Sequence, residues 1–250
     1  MSGSICIVGI GPGALSHTTP AARQAIEQAD IILGYKTYLR LITDLAPDVP
    51  REPSGMRQEV SRARRAIALA EAGEQVALVS GGDAGIYGMA GLVFEILGQR
   101  GGENPRVKVI PAVPALSAAS ALLGAPLMND FAAISLSDQL VPCEQILQRV
   151  DLAIRADFVL CLYNPKGRDR TETFDRVYDI LTRHRSPETP VGIVRAAYRP
   201  QQQVRLVTLS QLPQAEIDMV TIVIVGNSRT RVYEGKMVTP RGYSTKYELD

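Results

Sequence analysis

Short apolar, β-branched runs alternate with helical stretches along this chain, and that alternation restricts it to α/β architectures. Ile5–Val8, Ile31–Leu33, Gln75–Val79 and Val107–Ile110 read as one series of strands. Ala132–Leu136, Phe158–Leu162, Val191–Val194, Val204–Thr208 and Val220–Val225 form a second. Helical spacing of apolar residues marks Pro20–Ala29, Lys36–Leu45, Arg57–Ala72, Tyr87–Leu97, Leu116–Leu123, Glu144–Arg155 and Glu172–His184. Thr19 before Pro20 predicts an N-cap with proline at the first helical position, and Gly73 predicts a helix stop. The prolines at 111 and 114 separate the two series. The expectation is an N-terminal α/β domain, 1–112, carrying glycine-rich loops, followed by a C-terminal α/β domain, 113–250.

At 250 residues and 46% hydrophobic content the chain has ample material for two cores. A net charge of +1 and the absence of tryptophan argue against binding nucleic acid by broad phosphate neutralisation or base stacking. Cys6 and Cys161 sit in apolar runs and Cys143 stands apart, which reads as reduced, buried thiols. His17 and His184 are the only histidines, so a zinc site is not expected and no metal ligands are assigned. No signal peptide or membrane span is recognised, and the expected location is cytoplasmic.

Gly9-Ile10-Gly11-Pro12-Gly13-Ala14 follows the first strand and satisfies the dinucleotide fingerprint. A dinucleotide site also needs its helix to open inside the glycine run, so that backbone N–H groups face a pyrophosphate. Here the helix signals come only at Thr19 and Pro20, and Pro12 removes a donor. A second loop, Gly81-Gly82-Asp83, follows another strand, and neither loop carries the lysine of a P-loop. Bare backbone beside a carboxylate suits hydroxyls and cations better than phosphate. A nucleoside bearing a sulfonium, S-adenosylmethionine, meets those terms. A tight turn that needs glycine dihedrals is the competing reading for Gly9.

"VGIGPG" and "SGGDAGIYG" resemble the tetrapyrrole (corrin and porphyrin) methylase family. "GYKTY" (34–38), "SGMRQE" (54–59), "GAPLMNDFAAISLSD" (124–138), "LYNPKGR" (162–168) and "TPRGY" (239–243) resemble its branch that methylates precorrin-3B at C-17 with ring contraction, giving precorrin-4 in cobalamin biosynthesis. The resemblance runs along the whole chain. It implies two α/β domains in tandem with a cofactor cleft between them, a homodimer, and S-adenosylmethionine as methyl donor, released as S-adenosylhomocysteine.

By the same resemblance Pro12, Gly81, Gly82, Asp83 and Ile86 line the cofactor site, with Asn164, Ala196 and Thr221 from the second domain. The family's motif opening that domain reads Pro111-Ala112-Val113-Pro114-Ala115 here. It lacks the usual glycine and hydroxyl residue, and leaves Pro114 and Ala115 as contacts. The polyanionic substrate needs cations. Lys36, Arg57, Lys166, Arg168 and Arg170 are the expected partners, with Arg40 and Arg195 also near matched motifs; for each, a solvated surface charge is the simpler reading. Tyr35, Tyr38 and Tyr87 are candidates to lie against the macrocycle. Methyl transfer from a sulfonium is governed by positioning and requires no nucleophilic residue. Ring contraction also moves a proton. Ser137 and Asp138 are the expected catalytic pair, with Asp130 a further candidate, although a cap or turn role explains each carboxylate alone. Three readings stand at this level: the methyltransferase, on precorrin-3B or its cobalt-loaded equivalent; a nicotinamide-dependent oxidoreductase; and a tetrapyrrole carrier.

Overall fold

The computed structural model describes residues 3–101, 103–167 and 171–249. The chain forms two compact units, Met1–Ala115 and Leu116–Asp250.

The first unit holds β1 (Ser4–Gly9), α1 (Pro20–Glu27), β2 (Ile31–Tyr35), α2 (Lys36–Leu41), β3 (Arg51–Ser54), α3 (Glu59–Glu71), β4 (Gln75–Ser80), α4 (Met89–Gly98) and β5 (Arg106–Ile110). Its sheet runs β3-β2-β4-β1-β5 and every pairing is parallel. Both faces are covered, which is why the central strands read as unbroken apolar runs rather than alternating ones. Ile5, Ile7, Leu33 and Leu78 pack with Ala63, Ile67 and Val93 of α3 and α4. Val8, Ile32 and Val79 pack on the other face with Ala22, Ile26 and Leu39 of α1 and α2. Thr19 caps α1 as expected, its Oγ1 accepting the Ala22 N–H at 3.1 Å. β3 was not expected. Its sequence, REPS, is polar and contains proline, and only an edge strand tolerates both. The helix read from Tyr87 opens instead at Met89, because Tyr87 takes a left-handed backbone at φ +52°.

The helix α5 (Ala115–Leu123) opens on the last residue of the first unit, and the second unit goes on with β6 (Gly124–Ala125), β7 (Phe131–Ser135), α6 (Cys143–Arg155), β8 (Val159–Tyr163), α7 (Glu172–His184), β9 (Pro190–Arg195), β10 (Gln203–Thr208), β11 (Thr221–Val225), β12 (Arg231–Tyr233) and β13 (Lys236–Val238). The five-stranded sheet runs β10-β9-β11-β8-β7. Only β7 and β8 pair in parallel; β8–β11, β11–β9 and β9–β10 are antiparallel. A hairpin therefore replaces a helical crossover after β9. The core beneath α6 and α7 gathers Ile146, Val150 and Ile154 with Phe174, Val177 and Leu181 against Leu160, Leu162 and Val223. A small separate sheet runs β12-β13-β6. Among the described residues no helix is long and apolar enough to cross a membrane.

Cys161 is fully buried, and burial pushes its thiol up to about 12. Burial raises Cys6 too, against the opposing pull of Lys108. These are inert packing thiols.

Candidate functional site: two strand ends

In the first unit β1 and β4 are neighbours, so the two glycine loops leave the sheet side by side at its carboxyl end. They interlock. Gly11 N–H donates to the Gly82 carbonyl at 3.2 Å, and Gly82 N–H donates to the Gly11 carbonyl at 2.9 Å. Connections leaving β1 and β4 then run to opposite sides of the sheet, toward β2 and β5 respectively. That reversal is where open parallel sheets place ligands. The first helix opens at Pro20, after a separate 3-10 turn at Leu15–His17, and so does not present its N-terminus inside the glycine run. The geometry a bound pyrophosphate uses is not built here.

Asp83 organises the loop. One carboxylate oxygen accepts the Gly85 N–H and the other the Ala112 N–H, each at 2.8 Å. The second bond ties the loop to the segment after β5, where Pro114 and Ala115 approach Gly82. A Cβ built on Gly82 would meet the Ala115 nitrogen at 3.7 Å and the Pro114 Cα at 4.0 Å. Gly82 has φ +65°, a left-handed backbone. Gly81 is glycine for another reason: a Cβ there would stand 2.6 Å from the Tyr38 ring. Pro12 follows the interlocked Gly11, and the half-buried Ile86 closes a turn through its N–H to the Asp83 carbonyl. Hydrogen bonds thus join Gly82 to Gly11, and Asp83 to Gly85, Ala112 and Ile86, while Pro12 follows Gly11 in the chain and Pro114 and Ala115 approach Gly82.

The cations sit on the outer half of the same sheet end. Lys36 follows β2 and Arg57 follows β3, both exposed, and Arg57 adopts φ +63°. Tyr35 and Tyr38 pack edge to face with centroids 5.4 Å apart. Near them lies Arg62, on the same stripe of α3 as the buried Ala66 and Ala70. It is only 6% exposed. It donates to Ser54 Oγ and to Met89 Sδ, and among the described residues its Nε has no hydrogen-bond partner. Burial pushes its guanidinium pKa down, with Glu59 opposing.

In the second unit β7, β8 and β9 end together, and β10 and β11 begin there, so one end of the sheet gathers residues far apart in sequence. Asn164 follows β8 at φ +50°, and Ala196 follows β9 at φ +48°. Thr221 opens β11, opposite Arg195 in register. Left-handed geometry comes cheaply to asparagine but costs alanine roughly 1–2 kcal/mol, and such strain collects at ligand sites. The Asn164 amide donates to Ser135 Oγ at 3.0 Å, and the Tyr163 hydroxyl accepts the Leu116 N–H at 3.0 Å. Neither Ser135 nor Tyr163 was singled out from sequence; their only signal is that each ends a strand of a matched motif.

Ser137 and Asp138 follow β7 at this same end. Ser137 N–H donates to Ser135 Oγ at 3.3 Å, and Asp138 accepts from Thr173 Oγ1 at 3.4 Å. Asp130 lies at the opposite end, before β7, with its carbonyl accepting the Val159 N–H. Lys166 places its ammonium 4.6 Å from the centroid of the Phe174 ring. Arg168 and Arg170 lie outside the described residues.

Asp218, also unmarked by sequence, anchors the β11 end. Its carboxylate accepts from Thr221 Oγ1 at 2.8 Å, from the Val220 N–H at 3.0 Å and from Arg195 Nε at 2.8 Å. Burial acts to raise its pKa, but the bonds from Thr221, Arg195 and Val220 outweigh it and hold the carboxyl below its ordinary range. A depressed native pKa adds stability at pH values above the unfolded value of 3.8. That stability is lost as pH falls through the native value. Asp218→Asn is therefore expected to flatten the loss of stability between pH 5 and 3, measured by urea midpoints. The effect is modest, because the Asp218 side chain is 44% exposed.

A surface groove of about 440 Å³ lies elsewhere, lined by Arg64, Ala68, Glu71, Ile96, Gln99 and Arg100. These residues run from the middle of α3 to its end and from late in α4 to just beyond it, away from both glycine loops.

Residues 4–213 match the model of the tetrapyrrole (corrin/porphyrin) methylases. A Priestia megaterium protein, cobalt-factor III methyltransferase, is 47% identical over all of this chain, which spans 47% of that relative's length. A Salmonella typhimurium protein, probable cobalt-factor III C(17)-methyltransferase, is 45% identical over 96% of this chain and 99% of its own. Among solved structures, the methyltransferase CobJ superposes with a TM-score of 0.87 at 36% identity, over 96% of this chain and 100% of that one. With a family model matched across both units and a full-length relative at this identity, the chain belongs to the tetrapyrrole methylases.

Proposed function

We propose that this chain transfers a methyl group from S-adenosylmethionine to C-17 of precorrin-3B, with contraction of the macrocycle, in cobalamin biosynthesis. The observation that carries the reading is the interlocked pair Gly11–Gly82. It presents bare backbone at a sheet reversal with no phosphate-binding geometry, and Asp83 fixes it to Pro111–Ala115. When bound, S-adenosylmethionine supplies the methyl group on an activated sulfonium.

The chain's own residues then orient and protect. Gly82 leaves space for a nucleoside against the backbone, with Pro12, Ile86, Pro114 and Ala115 around it. Asp83 keeps lone pairs for ribose hydroxyls beyond the two it gives to backbone N–H groups. In the second unit Asn164, Ala196 and Thr221 supply the remaining contacts. Lys36, Arg57 and Lys166 meet substrate carboxylates, and Arg168 and Arg170 extend that role by resemblance. Ser137 and Asp138 handle the proton that ring contraction moves. The assembly expected is a cytoplasmic homodimer, and sedimentation at micromolar concentration tests the dimer.

A second reading replaces the substrate by its cobalt-loaded equivalent. The names of the Priestia and Salmonella relatives, both cobalt-factor III enzymes, favour it. Turnover with S-adenosylmethionine and each macrocycle decides. A contracted product one methyl heavier by mass spectrometry is expected, and the macrocycle that gives the higher kcat/KM identifies the substrate. Tight binding of both ligands without methyl transfer to either macrocycle would reduce the protein to a carrier. Binding of NADH in place of S-adenosylhomocysteine would restore the oxidoreductase reading.

A further inference from the structure

The end of the second sheet holds an arginine whose geometry is fixed on one side and open on the other. Arg195 is the last residue of β9 and 32% of its side chain is exposed. Its Nε donates to Asp218 at 2.8 Å. Among the described residues no other hydrogen bond reaches the guanidinium. Asp218 is in turn fixed by Thr221 Oγ1 and the Val220 N–H, and the Thr221 Oγ1 also accepts the Asp218 N–H at 3.2 Å. Three residues therefore hold the Nε side of one arginine and leave its two terminal nitrogens unspent. The neighbours are the strained Ala196, Thr221 across the register, and Asn164 one strand beyond.

A guanidinium locked through Nε with a free Nη pair is the fork that binds a carboxylate with two parallel bonds. Fixing it in advance removes the rotamer entropy a free arginine would lose on binding. A purely structural ion pair would need neither Thr221 nor the Val220 N–H to orient its acid. From this geometry we infer that Arg195 binds a ligand carboxylate, with Asp218 as its positioning residue. The inference rests on the methyltransferase reading, under which two carboxylates are available: that of the cofactor's amino acid and those on the tetrapyrrole rim.

Arg195→Met, Arg195→Lys and Asp218→Asn separate the possibilities. Calorimetry with S-adenosylhomocysteine and with 5′-methylthioadenosine, which lacks the amino-acid carboxylate, forms one arm. KM for the tetrapyrrole forms the other. If the cofactor is the source, Arg195→Met weakens S-adenosylhomocysteine by about 10- to 100-fold, as expected for a charged hydrogen-bonded contact. Methylthioadenosine affinity is then unchanged. If the tetrapyrrole is the source, KM rises by a similar factor and S-adenosylhomocysteine binds normally. In either case Arg195→Lys restores only part of the loss, because an ammonium lacks the fork, and Asp218→Asn gives a smaller loss of the same kind. Equal weakening of both nucleosides, or folded variants with parental binding and KM, would overturn the assignment. A parent protein that binds no S-adenosylhomocysteine would instead defeat the reading on which it rests.

Discussion

Gly82→Val is expected to abolish S-adenosylhomocysteine binding and leave the protein folded. The residue sits at φ +65°. A non-glycine residue there costs roughly 1–2 kcal/mol, and a β-branched one is a severe outlier. The strain has one ready release, rotation of the Gly82 peptide. That rotation breaks the two bonds with Gly11, so the loop leaves the place where it presents backbone to a ligand. Space is not the problem, since a Cβ would make only ordinary contacts with Ala115 and Pro114. Gly82→Ala therefore separates the two causes. It carries the left-handed cost without β-branching and should keep measurable, weakened binding. The fold survives either change because Gly82 itself belongs to neither packed face of the sheet, although Ala84 of the same loop packs into one of them. Calorimetry on both variants, with circular dichroism as the check on folding, reads the result. A valine variant that binds like the parent would make the interlocked loops structural only.

The elements of the first unit were legible where burial makes a pattern. Ile5–Val8 and Gln75–Val79 are apolar throughout because both sheet faces are covered, and Thr19-Pro20 announces α1 by capping chemistry. β3 was hidden because an edge strand makes only half the contacts that would enrich it in apolar residues. Strand order leaves no periodic trace, so the contact between Gly11 and Gly82 had to come from the structure; the sequence supplied only two glycine loops. The same limit explains the second sheet. Val191–Val194 and Val204–Thr208 read as strands, but their antiparallel pairing rests on the turn 196–202, whose φ values at Ala196 and Tyr198 are positive without any glycine to signal them. Arg62 and Asp218 were missed for a related reason. Charged residues in a helix face or a loop read as solvated, and only tertiary partners reveal that one is buried and that the carboxylate of the other accepts from three groups.

Asp138→Asn is expected to slow formation of the contracted product by roughly 10²-fold or more in single turnovers, a typical share for general acid–base catalysis. Affinity for S-adenosylhomocysteine should not change. The motive is location. Asp138 follows β7, whose carboxyl end lies at the same end of the second sheet as Asn164, Ala196 and Thr221. Its neighbour Ser137 is tied to Ser135, and Ser135 to Asn164, so a hydroxyl and a carboxylate are held beside a candidate ligand contact. The rival role is structural, because Asp138 accepts from Thr173 Oγ1 in the first turn of α7 at 3.4 Å. Thr173→Val removes that donor and keeps the carboxylate. If Asp138 only braces α7, the valine and asparagine variants should lose stability alike, and both should contract the ring at the parental rate once folded. If Asp138 carries the proton, Thr173→Val should leave the rate within a few-fold of the parent while Asp138→Asn loses it. The methyl-transfer step divides the cases further. It needs orientation and no acid–base group, so a proton-handling Asp138 predicts that the asparagine variant accumulates a methylated, uncontracted macrocycle. A variant that loses methylation and contraction together would place the fault in substrate binding and assign the proton to another group.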